Sequence, residues 1–182
     1  MPKSKIYTKT GDDGFSTLFD GERKLKHDTT FDALGSVDEL NAHLGLVQAL
    51  LEAKQVDNDW LTKIQQDLMD VGSAVATPLH GKSKNKRVRF NGDYVQRVEA
   101  LIDALDGLLP KLTQFILPGG GNELSANLHI ARAVCRRCER DISELVVLQQ
   151  VELDVLKYIN RLSDLLFVVA RKYSTNEIKY KK

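Results

Sequence analysis

Apolar residues recur along this chain at alternating steps of three and four, in five separate stretches. Val37, Leu40, Leu44, Val47 and Leu51 mark the first. Ser36 with Glu39 three residues on has the spacing of a capping box and predicts the start of that helix. Leu61, Ile64, Leu68, Val71 and Val75 mark the second, which opens after Asp57 or Asn58 and ends before Pro78. The third runs from about Asp93 through Val95, Val98, Ile102, Leu105 and Leu109, with Pro110 as its stop. The fourth is the longest, with Leu124, Leu128, Ala131, Cys135, Cys138, Ile142 and Leu145 on one stripe. Val155, Ile159, Leu162, Leu166 and Val169 form the fifth. A mean step of about 3.5 residues favours left-handed, nearly parallel or antiparallel packing. No segment has a convincing period of two, so the expected fold is all-α, a five-helix bundle.

Three stretches fall outside the helical pattern. The first thirty residues carry Gly11, Gly14 and Gly21 with Thr8, Thr10, Ser16 and Thr17 between them, and read as an ordered N-terminal loop. Residues 81–90 carry Lys82, Lys84, Lys86, Arg87 and Arg89. That stretch reads either as a solvated loop or as a flap closing over an anion. Between the third and fourth helices, Phe115-Ile116-Leu117-Pro118 leads into Gly119, Gly120 and Gly121. Glycines entering a helix suit either close backbone approach to a ligand or a plain turn. The expected organisation is one domain over 1–182: the loop 1–30, the bundle 31–173 and a tail 174–182.

Composition narrows the classes. A chain of 182 residues with 42% hydrophobic residues buries a sizeable core without disulfides. Its 26 basic and 25 acidic residues leave a formal net charge of +1, so nothing drives it toward nucleic acid. Cys135 and Cys138 lie three apart in a helical pattern, which reads as thiols in a reducing cytosol. The opening Met1-Pro2-Lys3-Ser4-Lys5-Ile6 lacks an apolar signal-type run, and the run Leu165 to Ala170 is too short for a bilayer. The expectation is a cytoplasmic protein with no membrane segment.

The fourth helix carries the densest chemistry. Arg132, Arg136, Arg137 and Arg140 crowd around Glu139 within a few turns. Guanidiniums this close repel unless something anionic neutralises them, and their forks match phosphate oxygens. A salt-bridged surface or a subunit interface is the competing reading. Asn160, Asp164, Phe167 and Arg171 share a face of the fifth helix, as an exposed side or as oxygen donors for Mg²⁺. Lys9 among Thr8, Thr10 and Gly11 has the makings of a phosphate cradle, without the spacing of a Walker A loop. No Glu-x-x-His pair supports a di-iron centre, and no second ligand pair completes a zinc site with Cys135 and Cys138. His129 is a lone histidine and reads as a packed side chain. No Gly-x-Ser-x-Gly elbow is present.

Taken in order, the segments form a larger pattern. It comprises Ile6-Tyr7-Thr8-Lys9-Thr10-Gly11-Asp12-Asp13-Gly14, Gly21-Glu22-Arg23, Val37-Asp38-Glu39-Leu40-Asn41 and Phe115-Ile116-Leu117-Pro118-Gly119-Gly120. It continues with His129-Ile130-Ala131-Arg132-Ala133-Val134-Cys135-Arg136-Arg137, then Glu139-Arg140, then Asn160-Arg161-Leu162-Ser163-Asp164. This resembles the ATP:cob(I)alamin (corrinoid) adenosyltransferases of the propanediol-utilisation type over about residues 5 to 173. The departures are one extra residue between Gly121 and His129, Cys138 at a position usually small, and His27 in a stretch usually rich in Lys and Asp.

The resemblance implies transfer of the 5′-deoxyadenosyl group of ATP to the cobalt of reduced cobalamin, releasing triphosphate. It implies a homotrimer with sites between subunits. Thr8, Lys9, Thr10, Gly11, Ser16 and Lys26 then bind ATP. On the arginine-rich helix of the neighbouring subunit, Arg136, with Glu139 nearby, holds the triphosphate, and Asn160 lies near Mg²⁺. Asp38 and Arg132 bridge the subunit interface. Phe115 packs against the corrin and displaces its lower axial ligand, so Arg136 and Phe115 are the catalytic pair. Implied partners are a reductase and an adenosylcobalamin-dependent enzyme. The alternative is a trimeric carrier or sensor that binds ATP or corrinoid without turnover.

Overall fold

The structure is a computed structural model that describes residue 7, residues 9–81 and residues 90–180. Five helices dominate it: α1 (Thr29–Ala53), α2 (Asp59–Val75), α3 (Gly92–Asp106), α4 (Glu123–Val147) and α5 (Leu153–Lys172). They neighbour one another in the order α2, α1, α4, α5, α3, so α4 and α5 hold the middle. The stripe Leu124, Leu128, Ala131, Cys135, Cys138, Ile142 and Leu145 is buried throughout, as its spacing requires. The facing stripe Val155, Ile159, Leu162, Leu166 and Val169 is equally buried.

Short polar side chains fix the register between these two central helices. Asn122 Nδ2 donates to the Tyr173 carbonyl at 2.7 Å, and Ser125 Oγ to the Ala170 carbonyl at 2.8 Å. Further along, Cys135 Sγ donates to the Ile159 carbonyl at 3.2 Å. As α4 advances its partners on α5 recede, which is the antiparallel arrangement. Asn122 also caps α4, its Oδ1 accepting from Ser125 N at 2.9 Å.

One buried carboxylate ties the outer helices to the centre. Asp67 of α2 is 1% exposed. It accepts from Arg97 of α3 at 3.0 and 3.1 Å, and from the Tyr158 hydroxyl of α5 at 3.3 Å. Lys63 lies 3.0 Å away on its own helix. A buried anion is tolerated because it has these donors and opposite charges.

Two helix boundaries and the N-terminal stretch differ from the sequence expectation. Helix α1 begins at Thr29, capped by the Asp28 carboxylate accepting from Thr30 N at 2.9 Å. Ser36 is therefore inside the helix, its buried hydroxyl donating to the Ala33 carbonyl at 3.1 Å, and is not a cap. Thr30 and Ala33 line the first turns of the buried face, and such small residues do not announce an apolar stripe. Helix α3 stops at Asp106, with Gly107 as its cap, ahead of Leu109 and Pro110. The described part of the N-terminal stretch holds a hairpin of β1 (Phe15–Thr17) and β2 (Arg23–Leu25), paired Phe15 to Leu25, Ser16 to Lys24 and Thr17 to Arg23. Strands of three residues are too short to display alternation. Positive φ at Gly14 and Gly21 lets the chain turn at its start and between the strands.

The tail beyond α5 is part of the structure. Residues 174–176 close on the glycine turn, where the Gly120 carbonyl accepts from Thr175 N at 2.8 Å and Asn176 N at 3.2 Å. Gly120 has φ of 67°, and a side chain there would collide with Ser125. These glycines thus admit the protein's own tail and helix at close range.

Candidate functional site

The arginine cluster on α4 divides once its partners are seen. Arg137 turns to Glu39 of α1 and forms an ion pair that holds the Glu39 carboxyl below its usual range. Arg140 folds back, donating to the Arg136 carbonyl at 3.0 Å. Arg137 follows the salt-bridged reading, and Arg140 is committed to a backbone carbonyl. Arg132 and Arg136 remain. The Arg136 side chain is 52% exposed, with only a 3.7 Å approach to Glu139. Arg132 is half-buried, and its Nε is buried without a hydrogen-bond partner among the described residues.

Glu139 joins the two central helices. Its Oε1 accepts from Asn160 Nδ2 at 2.7 Å. Asn160 Oδ1 in turn accepts from Arg161 at 2.7 Å, and Arg161 Nε donates to Glu99 of α3 at 2.8 Å. The network orients Asn160 and leaves the Arg136 guanidinium accessible to an anion. The Asn160 amide turns its Nδ2 to Glu139 and its Oδ1 to Arg161, so in this arrangement the two side chains do not present oxygens to one point. No cluster of three or more His, Cys, Asp or Glu able to cage a metal occurs among the described residues.

The N-terminal candidates lie on the hairpin and the turn before it. Lys26 N donates to the Gly14 carbonyl at 2.9 Å, which folds the strand end back on the turn. That brings the Lys26 ammonium so close to Gly11 that an added Cβ there would lie 3.2 Å from Nζ. Ser16 is on β1 opposite Lys24, whose ammonium is committed to Asp28 and Thr30 at 3.3 Å each. Lys9 has a positive φ of 58°, and its ammonium is 6.0 Å from the Tyr7 ring centroid. Thr10 begins the turn that contains Gly11. Thr8 and the basic stretch 82–89 lie outside the described residues.

Phe115 projects from the surface, the residue 83% exposed, beside Leu112, Thr113 and Gln114. Its backbone is held although its ring is not. The Phe115 carbonyl accepts from Tyr180 N at 2.7 Å, and Leu117 N donates to the Ile178 carbonyl at 2.8 Å. Asp38 is exposed on α1, in a recess with Phe19, Asn41 and Met69.

Several residues take roles that spacing did not separate. Arg171, placed on one face with Asn160 and Asp164, is buried and ion-paired while Asp164 is exposed. Its position in the last turn of α5, beside the tail, is the signal the sequence offers. Cys135 and Cys138 are buried free thiols. Burial pushes Cys135 up and Cys138 to about 12, so both are protonated packing groups at neutral pH. No described helix is long and apolar enough to cross a membrane.

Comparison with known proteins gives a consistent result. The family model described as cobalamin adenosyltransferase matches residues 6–173. The corrinoid adenosyltransferase MMAB of Homo sapiens is 46% identical over 170 residues, 92% of this chain and 68% of its own length. A corrinoid adenosyltransferase of Mycobacterium tuberculosis is 42% identical over 92% of this chain and 88% of its own. A phenylalanine-to-histidine variant of a PduO-type ATP:corrinoid adenosyltransferase from Lactobacillus reuteri, complexed with cobalamin and ATP, superimposes with a TM-score of 0.90. It is 36% identical, covering 98% of this chain and 97% of that one. An arginine-to-lysine variant from the same organism, complexed with ATP, gives 0.84 at 37% identity over 97% and 100% of the two chains.

His129 supplies a pH test of the α4 face. It is buried beside Phe167, with Nδ1 lacking a hydrogen-bond partner among the described residues. Burial first, and the Arg132 charge second, lower its pKa below the ordinary histidine value; Glu177 opposes weakly. The unfolded chain therefore takes up this proton at a higher pH than the folded one. The stability from the neutral ring is complete above the unfolded pKa and declines as pH falls through it toward the folded value. Urea unfolding at pH 7.5 and 5.5 should show a larger loss for the parent than for His129→Asn. Parallel losses would mean the folded ring protonates as readily as the unfolded one.

Proposed function

This chain belongs to the cobalamin adenosyltransferase family, and from that premise we propose how its own residues divide the work. The enzyme transfers the 5′-deoxyadenosyl group of ATP to the cobalt of reduced cobalamin, forming adenosylcobalamin. Cobalt in cob(I)alamin attacks C5′ with its electron pair. The Co–C bond forms as the C5′–O bond breaks, and the pair of that bond leaves on triphosphate. Such a nucleophile needs no general base, so positioning and charge stabilisation carry the reaction. The accessible Arg136 guanidinium, set next to the Glu139–Asn160 pair, carries this reading.

ATP lies along the N-terminal turn and hairpin, with Thr8, Lys9, Thr10, Gly11, Ser16 and Lys26 as its contacts. The approach of Lys26 to Gly11 supports a cationic cradle with a bare backbone floor. Arg136 receives the triphosphate, and Glu139 keeps its guanidinium near the α5 side. Mg²⁺, when bound, would offset phosphate charge, and Asn160 is the residue that would hold it, its Oδ1 exchanging Arg161 for the ion. Phe115 meets the lower corrin face and keeps an axial ligand away from cobalt, so that Co(II) accepts an electron more easily. The enzyme works in the cytoplasm as a single folded unit, with a reductase upstream and an adenosylcobalamin-dependent enzyme downstream. Turnover of MgATP and cob(I)alamin to adenosylcobalamin tests the assignment directly; binding without turnover would make it a carrier.

The protein assembles as a homotrimer in which Asp38 of one subunit pairs with Arg132 of the next. The exposed Asp38 carboxylate and the unsatisfied Arg132 Nε support this as two halves of one contact. Asp38→Arg should dissociate the trimer in sedimentation, since breaking a buried pair costs about 3–5 kcal/mol. Asp38→Arg combined with Arg132→Asp should restore it. A trimer unaffected by Asp38→Arg would refute the pairing.

Arg136→Lys keeps the charge and loses the fork. A lost charge-assisted hydrogen bond of about 1.5–3 kcal/mol should lower kcat/KM for ATP by ~10–100-fold, with melting unchanged. Unaltered kinetics would remove Arg136 from the site. Phe115→Ala should depress adenosylation of cob(II)alamin strongly and spare most activity on pre-reduced cob(I)alamin, with little change in KM for ATP. The electronic spectrum of cob(II)alamin bound with ATP should lose its four-coordinate signature in that variant; retention would exclude ligand displacement by this ring.

A further inference from the structure

An exposed ring has no packing to fix it, so whatever fixes the backbone of residues 115–117 fixes where Phe115 points. Leu112, Thr113 and Gln114 beside it are exposed as well. The constraint comes from the tail, through an antiparallel bridge of Ile116 with Lys179 and the two flanking hydrogen bonds of Leu117 and Tyr180. Isolated strand pairs of this length are marginal in water. The tail strand needs an anchor of its own.

Arg171 provides it. Its side chain is only 4% exposed, at the end of α5. Nε donates to Glu177 Oε1 at 2.9 Å, and a second nitrogen donates to the Pro110 carbonyl at 2.8 Å. A third approaches Asp106 Oδ1 at 3.7 Å. One guanidinium thus holds both ends of the problem. It grips the loop that leads to Phe115 at Pro110, and the tail that pairs with Phe115 at Glu177. A lysine has no such fork.

We propose that Arg171 and Glu177 are positioning residues for the corrinoid half-reaction: their ion pair latches the tail so that it holds the Phe115 segment in place. This rests on the reading of Phe115 given above. Neither residue is a catalytic residue; each acts through the backbone of 115–117. Removing the Glu177 carboxylate leaves Arg171 its Pro110 and Asp106 contacts, so the bundle stays folded while the tail comes free.

The test compares Glu177→Ala, Glu177→Asp and Phe115→Ala with the parent by amide hydrogen exchange and by the spectrum of cob(II)alamin bound with ATP. Glu177→Ala should raise exchange at Leu117 and Tyr180 by ~tenfold or more while Leu128 and Leu162 keep their protection. It should also lower the four-coordinate fraction several-fold, with KM for ATP unchanged, and Glu177→Asp should recover part of both. Unchanged exchange at Leu117 in Glu177→Ala overturns the latch. Faster exchange with an undiminished four-coordinate signal, where Phe115→Ala loses that signal, overturns its role in positioning. If Phe115→Ala itself keeps the signal, the reading of the ring falls, and exchange at Leu117 alone decides whether the latch exists.

Discussion

Helices α4 and α5 are locked in register by side-chain donors from α4 that reach backbone carbonyls of α5 or the residue just past it. Asn122, Ser125 and Cys135 each commit a polar hydrogen to a partner that cannot shift without breaking it. An apolar seam alone would permit sliding by a turn with little change in buried area, because Leu, Ile and Val on both stripes are interchangeable in bulk. A hydrogen bond in a dry interface tolerates no such slide, since the unpaired groups would each cost about 1–3 kcal/mol. Once this register is set, Glu139 faces Asn160 and His129 faces Phe167. The polar network of the site is a downstream result of the seam.

Cys135 in that seam fills space and donates weakly to the Ile159 carbonyl, Cys138 packs beside Ser36 of α1, and burial keeps both thiols protonated. Their spacing comes from the helical repeat. The glycines before α4 tell a similar story. At Gly120 the neighbours that exclude a side chain are Ser125 of α4 and Ser174 of the tail.

How much of this was legible in the sequence depends on whether a residue's partner is local. The five helices were readable because burial against neighbours imposes a period, and Leu, Val and Ile report it. The early start of α1 was not, because Thr30 and Ala33 fill its buried face and carry no apolar signal. The hairpin at Phe15–Thr17 was too short to alternate. On α4, the proximity of Arg136 and Glu139 followed from spacing. The diversion of Arg137 to Glu39 depended on how α1 packs, which spacing along one helix does not encode. Helical angle alone puts Arg171 on the face of Asn160 and Asp164, and its burial depends on a tail that has no repeat to read.

Phe115 has a thermodynamic consequence of its own. A benzyl group left in water is a hydration cost that the folded chain carries at all times. Covering that ring releases its ordered water, a gain of about 1.5–3 kcal/mol for full burial. The favourable term goes to whatever ligand covers the face, and none of it is spent on holding the free protein together. Affinity at this position is therefore stored as unfinished burial. It should register in calorimetry as a negative heat-capacity change of binding that scales with the area of the ring.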